Sequence, residues 1–299
     1  MNKKKIDLCP KNFLKKVNFK KISNSKNLRI PLISVVMPSF NKVRYIEKSI
    51  LSVLNQSYQN IELIIIDGGS EDGTLDVIKK YDQFIHYWVS EKDNGQSDAL
   101  NKGFKKANGE ILCWMNTDDL FLPGALATAS QTLTRNPKKK ICYGDWVSID
   151  EDDKIIDKHF ALDFDSNHLK YEGFLFNAQS LFWTQEVHKS FSGFDTSLNK
   201  TMDYQMMIEF GTNQTKHSFI RIEKTLAAFR RYADQKTGIY GNEEHKEHQY
   251  LSIKYQYEDK YKFKGKLKRF FFRFRRVIWY FKRGGIKELK KRILNWNIL

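Results

Sequence analysis

Apolar and polar positions follow a regular rhythm through the first half of the chain. Residues 32–37 form an apolar run that Pro38-Ser39-Phe40-Asn41 stops, which predicts a buried strand. Ile46, Ile50, Val53 and Leu54 then recur at helical spacing, so a helix should open from Asn41 or Lys42. A second apolar run, 61–66, ends at Asp67 and meets the turn Gly68-Gly69-Ser70-Glu71-Asp72-Gly73. Thr74 is suited to cap a helix through Tyr81. A third strand is expected over 85–89, then the polar loop 90–95, a helix over 97–107, and a fourth strand over 111–115. Strand and helix repeat every thirty residues or so, which predicts a mostly parallel sheet with helices on both faces.

Each predicted strand ends in a polar cluster holding Asn or Asp: Asn41, Asp67, Asp93 and Asp119. In a parallel sheet those tips share one edge, where ligands of open α/β folds bind. The fourth tip, Asn116-Thr117-Asp118-Asp119, sets two carboxylates side by side at the end of a buried strand. They repel each other and lose hydration. One reading is a hard divalent cation, Mg²⁺ or Mn²⁺, sharing its oxygen shell with phosphates. The other is a plain Asp-Asp turn ahead of a helix opened by Pro123. The meeting of four such tips favours the cation.

The second half is less regular. Strands are expected over 140–146 and, as its hairpin partner, 154–160; an aromatic segment at 174–183 contains Asn177 and Gln179. Met202-Asp203-Tyr204 opens a helix through residue 210, and 219–229 reads as a strand ending at the loop 230–237. Residues 243–258 form a charged helix; its run Glu243 to His248 is read as a solvated face rather than a metal site. Cys9, Cys113 and Cys142 have no metal-ligand spacing, and an odd, sparse count suits a reducing compartment. The N-terminus lacks the apolar stretch of a signal peptide, and no run approaches the roughly eighteen apolar residues of a spanning helix.

Charge separates the ends from the middle. The net +16 divides into +9 over residues 1–29, +14 over 260–299 and −7 between them. The ends should attract anions, either nucleic acid or an anionic membrane.

Four ordered motifs then carry a resemblance: P-S-F-N (38–41), I-I-D-G-G-S-E-D-G-T (65–74), S-E-K-D-N-G-Q-S-D-A-L-N-K-G (90–103) and W-M-N-T-D-D (114–119). Together they resemble the inverting family 2 glycosyltransferases, over roughly residues 31–231. The resemblance implies the GT-A fold, a nucleotide-sugar donor and Mn²⁺ or Mg²⁺. It sets Ser39, Phe40 and Asn41 by the nucleotide, Asp67 on the base, Asp98 closing the nucleotide site, Asn116 and Asp118 in the D-x-D position, and Asp119 on the metal. Asp203 matches the family base; capping its helix is the plainer alternative, and Glu209 is the fallback. A helix N-terminus should lower the Asp203 pKa. Arg230 and Arg231 stand where relatives carry a basic residue on the diphosphate, against plain surface charge, and Gln179 where they carry an acceptor-side polar group. The Q-x-x-R-W motif of processive synthases is absent from the sequence, so single addition is the better expectation.

Residues 266–282 follow the i, i+3, i+4, i+7 pattern through Leu267, Phe270, Phe271, Phe274, Val277, Ile278 and Phe281, with Lys268, Arg269, Arg273, Arg275, Arg276 and Lys282 largely elsewhere. That pattern predicts either a helix lying on an anionic membrane or one packing its aromatic face on the domain. No recognised nucleic-acid module accompanies the charge, so nucleic acid is not an expected partner. The expected organisation is a basic arm (1–29), a GT-A domain (30–240) and a basic helical membrane-surface region (241–299). The expected activity is metal-dependent sugar transfer to a saccharide or lipid-linked acceptor at the inner face of the cell membrane, for surface polysaccharide or glycolipid. Two alternatives are a nucleotidyltransferase on a similar sheet and a non-catalytic membrane adaptor.

Overall fold

The computed structural model describes residues 30–233, 235 and 242–294. The basic arm, with a short helix expected at 13–19, lies outside the described residues. The chain opens with β1 (Ile33–Ser39), α1 (Ile46–Leu54), β2 (Ile61–Asp67), α2 (Thr74–Lys80), β3 (Tyr87–Ser90), α3 (Gln96–Lys106) and β4 (Ile111–Trp114). The four strands pair in parallel in the order β3-β2-β1-β4. Their runs are apolar without alternation because both faces of the sheet are covered.

Successive side chains point to opposite faces, and the two cores show it. Val35, Met37, Ile111 and Cys113 pack with Ile46, Ile50 and Val53 of α1. Val36, Leu112 and Trp114 pack on the other side with Leu100 and Phe104 of α3. The third strand begins two residues later than its apolar run, because a 3-10 turn at Asp82–Phe84 precedes it.

The sheet then turns mixed. The chain continues through β5 (Leu120–Phe121), α4 (Ala125–Arg135), β6 (Ile141–Ile149), β7 (Ile155–His159), α5 (Ser166–Glu172), β8 (Leu181–Thr184), α6 (Gln185–Lys189), α7 (Met202–Asn213) and β9 (Phe219–Arg230). The order β4-β8-β6-β9-β5 extends the sheet, with the expected hairpin partner β7 on β6. β8 runs antiparallel to both β4 and β6, while β6 and β9 are parallel. Residues 166–172, for which no helix was expected, form α5: the Asp165 side chain accepts from the Asn167 and His168 amides and caps it.

Two helices close the described chain, α8 (Asn242–Lys254) and α9 (Phe263–Leu294), the latter interrupted at Gly285. Leu251 of α8 joins the α7 core, with Tyr255, Tyr257 and Trp279 packed against it. The segment expected as a separate C-terminal region therefore shares the core of the sheet domain. Among the described residues no helix is long and apolar enough to cross a membrane.

Candidate active site

The carboxyl ends of the parallel strands meet on one edge and are tied together by backbone. The Gly68 amide donates to the Ser39 carbonyl (2.8 Å), the Glu91 amide to the Asp67 carbonyl (3.0 Å), and the Met115 amide to the Val36 carbonyl (2.9 Å). Asn41 sits at φ 50°, a conformation its short polar side chain tolerates. Its amide donates to Ser70 Oγ (2.7 Å) and its Oδ1 accepts from the Glu71 amide (3.0 Å). Phe40 stands 57% exposed at this edge. Ser39 is buried, and its hydroxyl has no hydrogen-bond partner among the described residues. A buried polar group left unmet is costly, so this hydroxyl is one a ligand can complete.

Asp67 is wholly buried. Its carboxylate accepts from the Gly69 and Ser70 amides (3.1 and 2.8 Å) and from the Ser70 and Ser90 hydroxyls (2.6 and 2.8 Å). Four protein donors fill it, so its first task is to shape the Gly68–Gly69 turn. A Cβ on Gly68 would lie 2.8 Å from Asp93 Oδ2, so a larger residue there would displace the Asp93 carboxylate. Burial pushes the Asp93 carboxyl up. Asp98, in the first turn of α3, accepts from the Asn94 amide (3.1 Å) and faces Lys102 (3.3 Å). The amide bond, then Lys102, outweighs burial and holds its pKa down.

At the β4 tip the two neighbouring carboxylates take different positions. Asp119 has no exposed surface. Its Oδ1 accepts from the Arg230 amide (2.8 Å) and its Oδ2 from Asn116 Nδ2 (3.1 Å). Burial, followed by the Asp118 charge, raises its pKa well above the usual carboxylate range. Asp118 is the carboxylate that keeps some exposed surface: its Oδ2 accepts from the Tyr232 hydroxyl (2.6 Å) and lies 3.5 Å from the Lys42 ammonium. Asn116 Oδ1 accepts from Gln96 Nε2 (2.9 Å), which joins this tip to the start of α3. Asp119 thus organises the turn, and Asp118 is better placed than Asp119 to hold a cation.

Arg230 differs from expectation. It is fully buried. Its Nε donates to the Asp118 carbonyl (2.9 Å), its Nη1 to the Asp150 carbonyl (2.8 Å), and its Nη2 lies 2.7 Å from Asp153 Oδ1. The guanidinium is engaged inside the protein, so it cannot reach a diphosphate in this conformation. Arg231 is exposed beside it. Among the described residues of this loop, Tyr232 reaches the Asp118 carboxylate, and its ring lies tilted against Tyr45 at 5.1 Å. Burial and the Asp118 charge raise its pKa, so its phenol stays a donor.

Asp203 lies in the first turn of α7; part of the residue is exposed, but its carboxyl is packed round by protein atoms, and its Oδ1 accepts from the Tyr204 amide (2.8 Å). Ser97 Oγ of α3 contacts Met202 Sδ (3.1 Å), so the first turns of α3 and α7 abut. The expected lowering of the Asp203 pKa does not occur. Burial pushes it up to about 7, and Glu244 and Glu247 of α8 add to the rise. Desolvation here exceeds the helix-terminus effect. Glu209 is engaged elsewhere, accepting from the Ser192 amide (2.7 Å), the Ser192 hydroxyl (2.9 Å) and the Tyr255 hydroxyl (3.1 Å). Gln179 is buried in the 3-10 turn Ala178–Ser180 that precedes β8.

The solvated reading of Glu243 to His248 is overturned for two of its members. Glu247 and His248 are buried. The Glu247 carboxylate accepts from the Asn199 amide (2.7 Å), the Lys200 amide (3.0 Å), and the Thr201 amide and hydroxyl (2.9 and 2.8 Å). It fixes the backbone just before Asp203. His248 Nε2 lies 3.0 Å from Lys260 Nζ.

Residue-level reading therefore missed Lys42, Gln96, Tyr232 and Glu247. Tyr232, two residues past β9, was discoverable only as an aromatic in a polar loop. Nothing local marks Glu247.

Among the described residues no three or more His, Cys, Asp or Glu side chains gather to hold an ion. The donor set at this strand tip is one carboxylate, Asp118, with the amide of Asn116 behind it. Such a set fits a divalent ion that takes most of its shell from substrate phosphates and water, as Mg²⁺ sites do.

A mixed sheet whose parallel half runs β3-β2-β1-β4, with helices on both faces and an N-x-D-D tip at its ligand edge, defines a GT-A glycosyltransferase fold. Residues 34–202 match the Glycosyl transferase family 2 profile, and the chain belongs to that family. An uncharacterized glycosyltransferase of Rickettsia typhi is 30% identical over 194 residues, 62% of this chain and 60% of its own length. GalNAc(5)-diNAcBac-PP-undecaprenol beta-1,3-glucosyltransferase of Campylobacter jejuni is 35% identical over 106 residues, 34% of each chain. Residues 1–349 of S. aureus TarS, in complex with UDP-GlcNAc, align with a TM-score of 0.62 at 14% identity, covering 75% of this chain and 65% of that one. Mannosyltransferase PcManGT from Pyrobaculum calidifontis, with GDP-Man and Mn²⁺, aligns with a TM-score of 0.51 at 16% identity, covering 70% and 59%. At such identities the two structures bear on the fold alone.

Proposed function

We propose that this chain is an inverting, metal-dependent hexosyltransferase that moves one sugar from a nucleotide-sugar donor to a hydroxyl acceptor. The observation that carries the reading is the meeting of the β1, β2 and β4 tips on one edge, with the Asp118 carboxylate facing that edge and the Asp203 turn joined to it through α3. Ser39, Phe40 and Asn41 would border the nucleotide. Asp67 and Asp98 act on it through the loops they hold, and Asn116 and Asp118 lie toward the diphosphate. The nucleotide-sugars in the TarS and PcManGT complexes support a donor of that class.

Asp118 would hold the divalent ion, with Asn116 and Asp119 fixing its turn; when bound, the ion neutralises charge gathering on the departing diphosphate. Asp203 accepts the proton of the acceptor hydroxyl. The hydroxyl oxygen forms its bond to the anomeric carbon from the face opposite the diphosphate. The anomeric carbon–oxygen bond to phosphate breaks, and the nucleoside diphosphate leaves with that electron pair. Tyr232, which donates to Asp118, and Lys42, which donates to the Tyr232 hydroxyl and pairs with Asp118 at 3.5 Å, set the charge of the site before substrate arrives.

The acceptor is a saccharide or a lipid-linked saccharide, and the product belongs to surface polysaccharide or glycolipid. Transfer takes place at the cytoplasmic face of the cell membrane, with no part for nucleic acid. The test is thermal melting with nucleoside diphosphates, with and without Mn²⁺, followed by incubation with UDP- and GDP-hexoses. A melting point raised only when diphosphate and Mn²⁺ are both present, with release of nucleoside diphosphate, is the expected result. Release of pyrophosphate would instead establish nucleotidyl transfer, and absence of any nucleotide effect would remove the catalytic reading.

A further inference from the structure

Helix α9 docks on its own domain with an unusual division of faces. Phe272 and Tyr280 are buried beneath it. Around them its cations point inward to acids of the domain. Arg269, Arg273 and Arg276 converge on Glu172 of α5 at 3.7, 3.1 and 3.5 Å. Arg275 reaches Asp165 (3.0 Å) and Arg283 reaches Asp145 (3.1 Å). The outer face holds Leu267, Phe270, Phe271, Phe274, Ile278 and Phe281, each between 40% and 71% exposed. A helix packing on a protein core ordinarily turns its apolar stripe inward. Here most of that stripe faces out, as a ridge far richer in large apolar side chains than isolated surface residues account for.

Charge complementarity selects the occupant. Between residues 263 and 287 the sequence contains no Asp or Glu. Lys264, Lys266 and Lys282 flank the ridge, are exposed, and make no ion pair among the described residues. A second copy packed on this ridge about a two-fold axis would bring like charges together. The chain's own N-terminal arm, net +9, is equally unsuited. An anionic surface with an apolar layer beneath it satisfies both features.

We propose that the outer ridge of α9 is a docking surface for an anionic lipid bilayer. Phe270, Phe271 and Phe274 enter the acyl boundary, and Lys264, Lys266 and Lys282 meet headgroup phosphates. The inward arginines hold the helix to the domain, so the ridge is presented as a fixed edge of the enzyme. This holds whatever the catalytic activity proves to be.

The test is flotation of the full chain with phosphatidylcholine vesicles, with and without about one-third phosphatidylglycerol, a composition chosen to give a negative surface potential. The wild type is expected to float with the anionic vesicles only, and less well at high salt. A Phe270→Glu/Phe274→Glu variant, both positions being exposed, is expected to bind at least tenfold more weakly while keeping the wild-type melting temperature. A Lys264→Glu/Lys266→Glu variant should weaken binding in the same way. Three results would each overturn the proposal. One is no binding by the wild type. Another is undiminished binding by the phenylalanine variant, which would assign attachment to the basic arm. The third is a wild-type dimer in solution that the same variant dissociates.

Discussion

At the scale of single residues, two carboxylates next to each other in sequence have opposite environments. Asp118 meets Tyr232 and Lys42 and keeps some exposed surface, whereas Asp119 is sealed under the Arg230 amide. Asp118→Ala should therefore leave melting nearly unchanged in the absence of ligand and abolish the Mn²⁺-dependent stabilisation by nucleoside diphosphate. Asp119→Ala leaves a buried amide without an acceptor, which costs about 1–3 kcal/mol; its melting point should fall before any ligand is added. Equal behaviour of the two variants in a paired thermal melt would show that their roles are not divided in this way. Asp203 poses a separate question of pH. Its pKa, raised to about 7 by burial and by Glu244 and Glu247, makes it protonated below that value and competent as a base above it. The turnover rate should climb with pH through a limb near 7. Because the folded form binds this proton more tightly than the unfolded chain, Asp203 contributes stability that is present below the ordinary Asp range and lost as pH rises through 7. Asp203→Asn should cut turnover by roughly 10²–10⁴-fold, keep nucleotide binding, and melt no lower than wild type at pH 8.

At the scale of elements, α7 carries the candidate base, but α8 fixes where α7 begins. Glu247 collects the amides of residues 199–201 and the Thr201 hydroxyl into one buried carboxylate. Glu247→Ala is expected to cost about 1–3 kcal/mol of stability through those unmet donors. It should also lower kcat with little change in donor KM, and move the acidic limb of the pH profile downward, since a negative charge near Asp203 is gone. A stability loss with an unmoved limb would make Glu247 structural only. The difference between α7 and the parallel half also explains what could be read from sequence. The strand ends at Asn41, Asp67 and Asp119 were legible because period and punctuation are local properties, and both survive burial. Helix α5 was hidden because its seven residues are too few to show a period, although Asp165 offered the cap. Arg230 looked like a phosphate contact because guanidinium chemistry suits phosphate. Only the pairing of β9 with β5 reveals that its side chain points inward beneath Asp118. Glu247 was illegible for the same reason: its partners lie 46 to 48 residues away, and an acid on a charged helix carries no local sign of burial.

At the scale of the whole molecule, the chain resists division at the point where its composition changes. The sequence places a boundary near residue 240, where the catalytic motifs have ended and basic helices begin. Across that point, however, Leu251 of α8 is fully buried in the core shared with Tyr204, Met206 and Phe210 of α7. Glu247 holds the approach to Asp203 from the same helix. A chain ended after residue 240 would lose both at once: the apolar cover of α7 and the carboxylate that orders its start. Removing one buried Leu side chain alone costs about 2–5 kcal/mol, a large fraction of the 5–15 kcal/mol that keeps a domain folded. The truncated chain should therefore fail to fold cooperatively, or melt many degrees lower, and lack turnover with any donor. Ending the chain after residue 262 keeps α8 and removes α9, whose docking on α5 rests on ion pairs around Glu172 and on Phe272. That shorter chain should melt cooperatively, bind nucleoside diphosphate with Mn²⁺, and lose vesicle binding. Paired melting and nucleotide titrations of the two truncations decide the matter: a truncation at 240 that folds and binds nucleotide like the full chain would make α8 dispensable to the site.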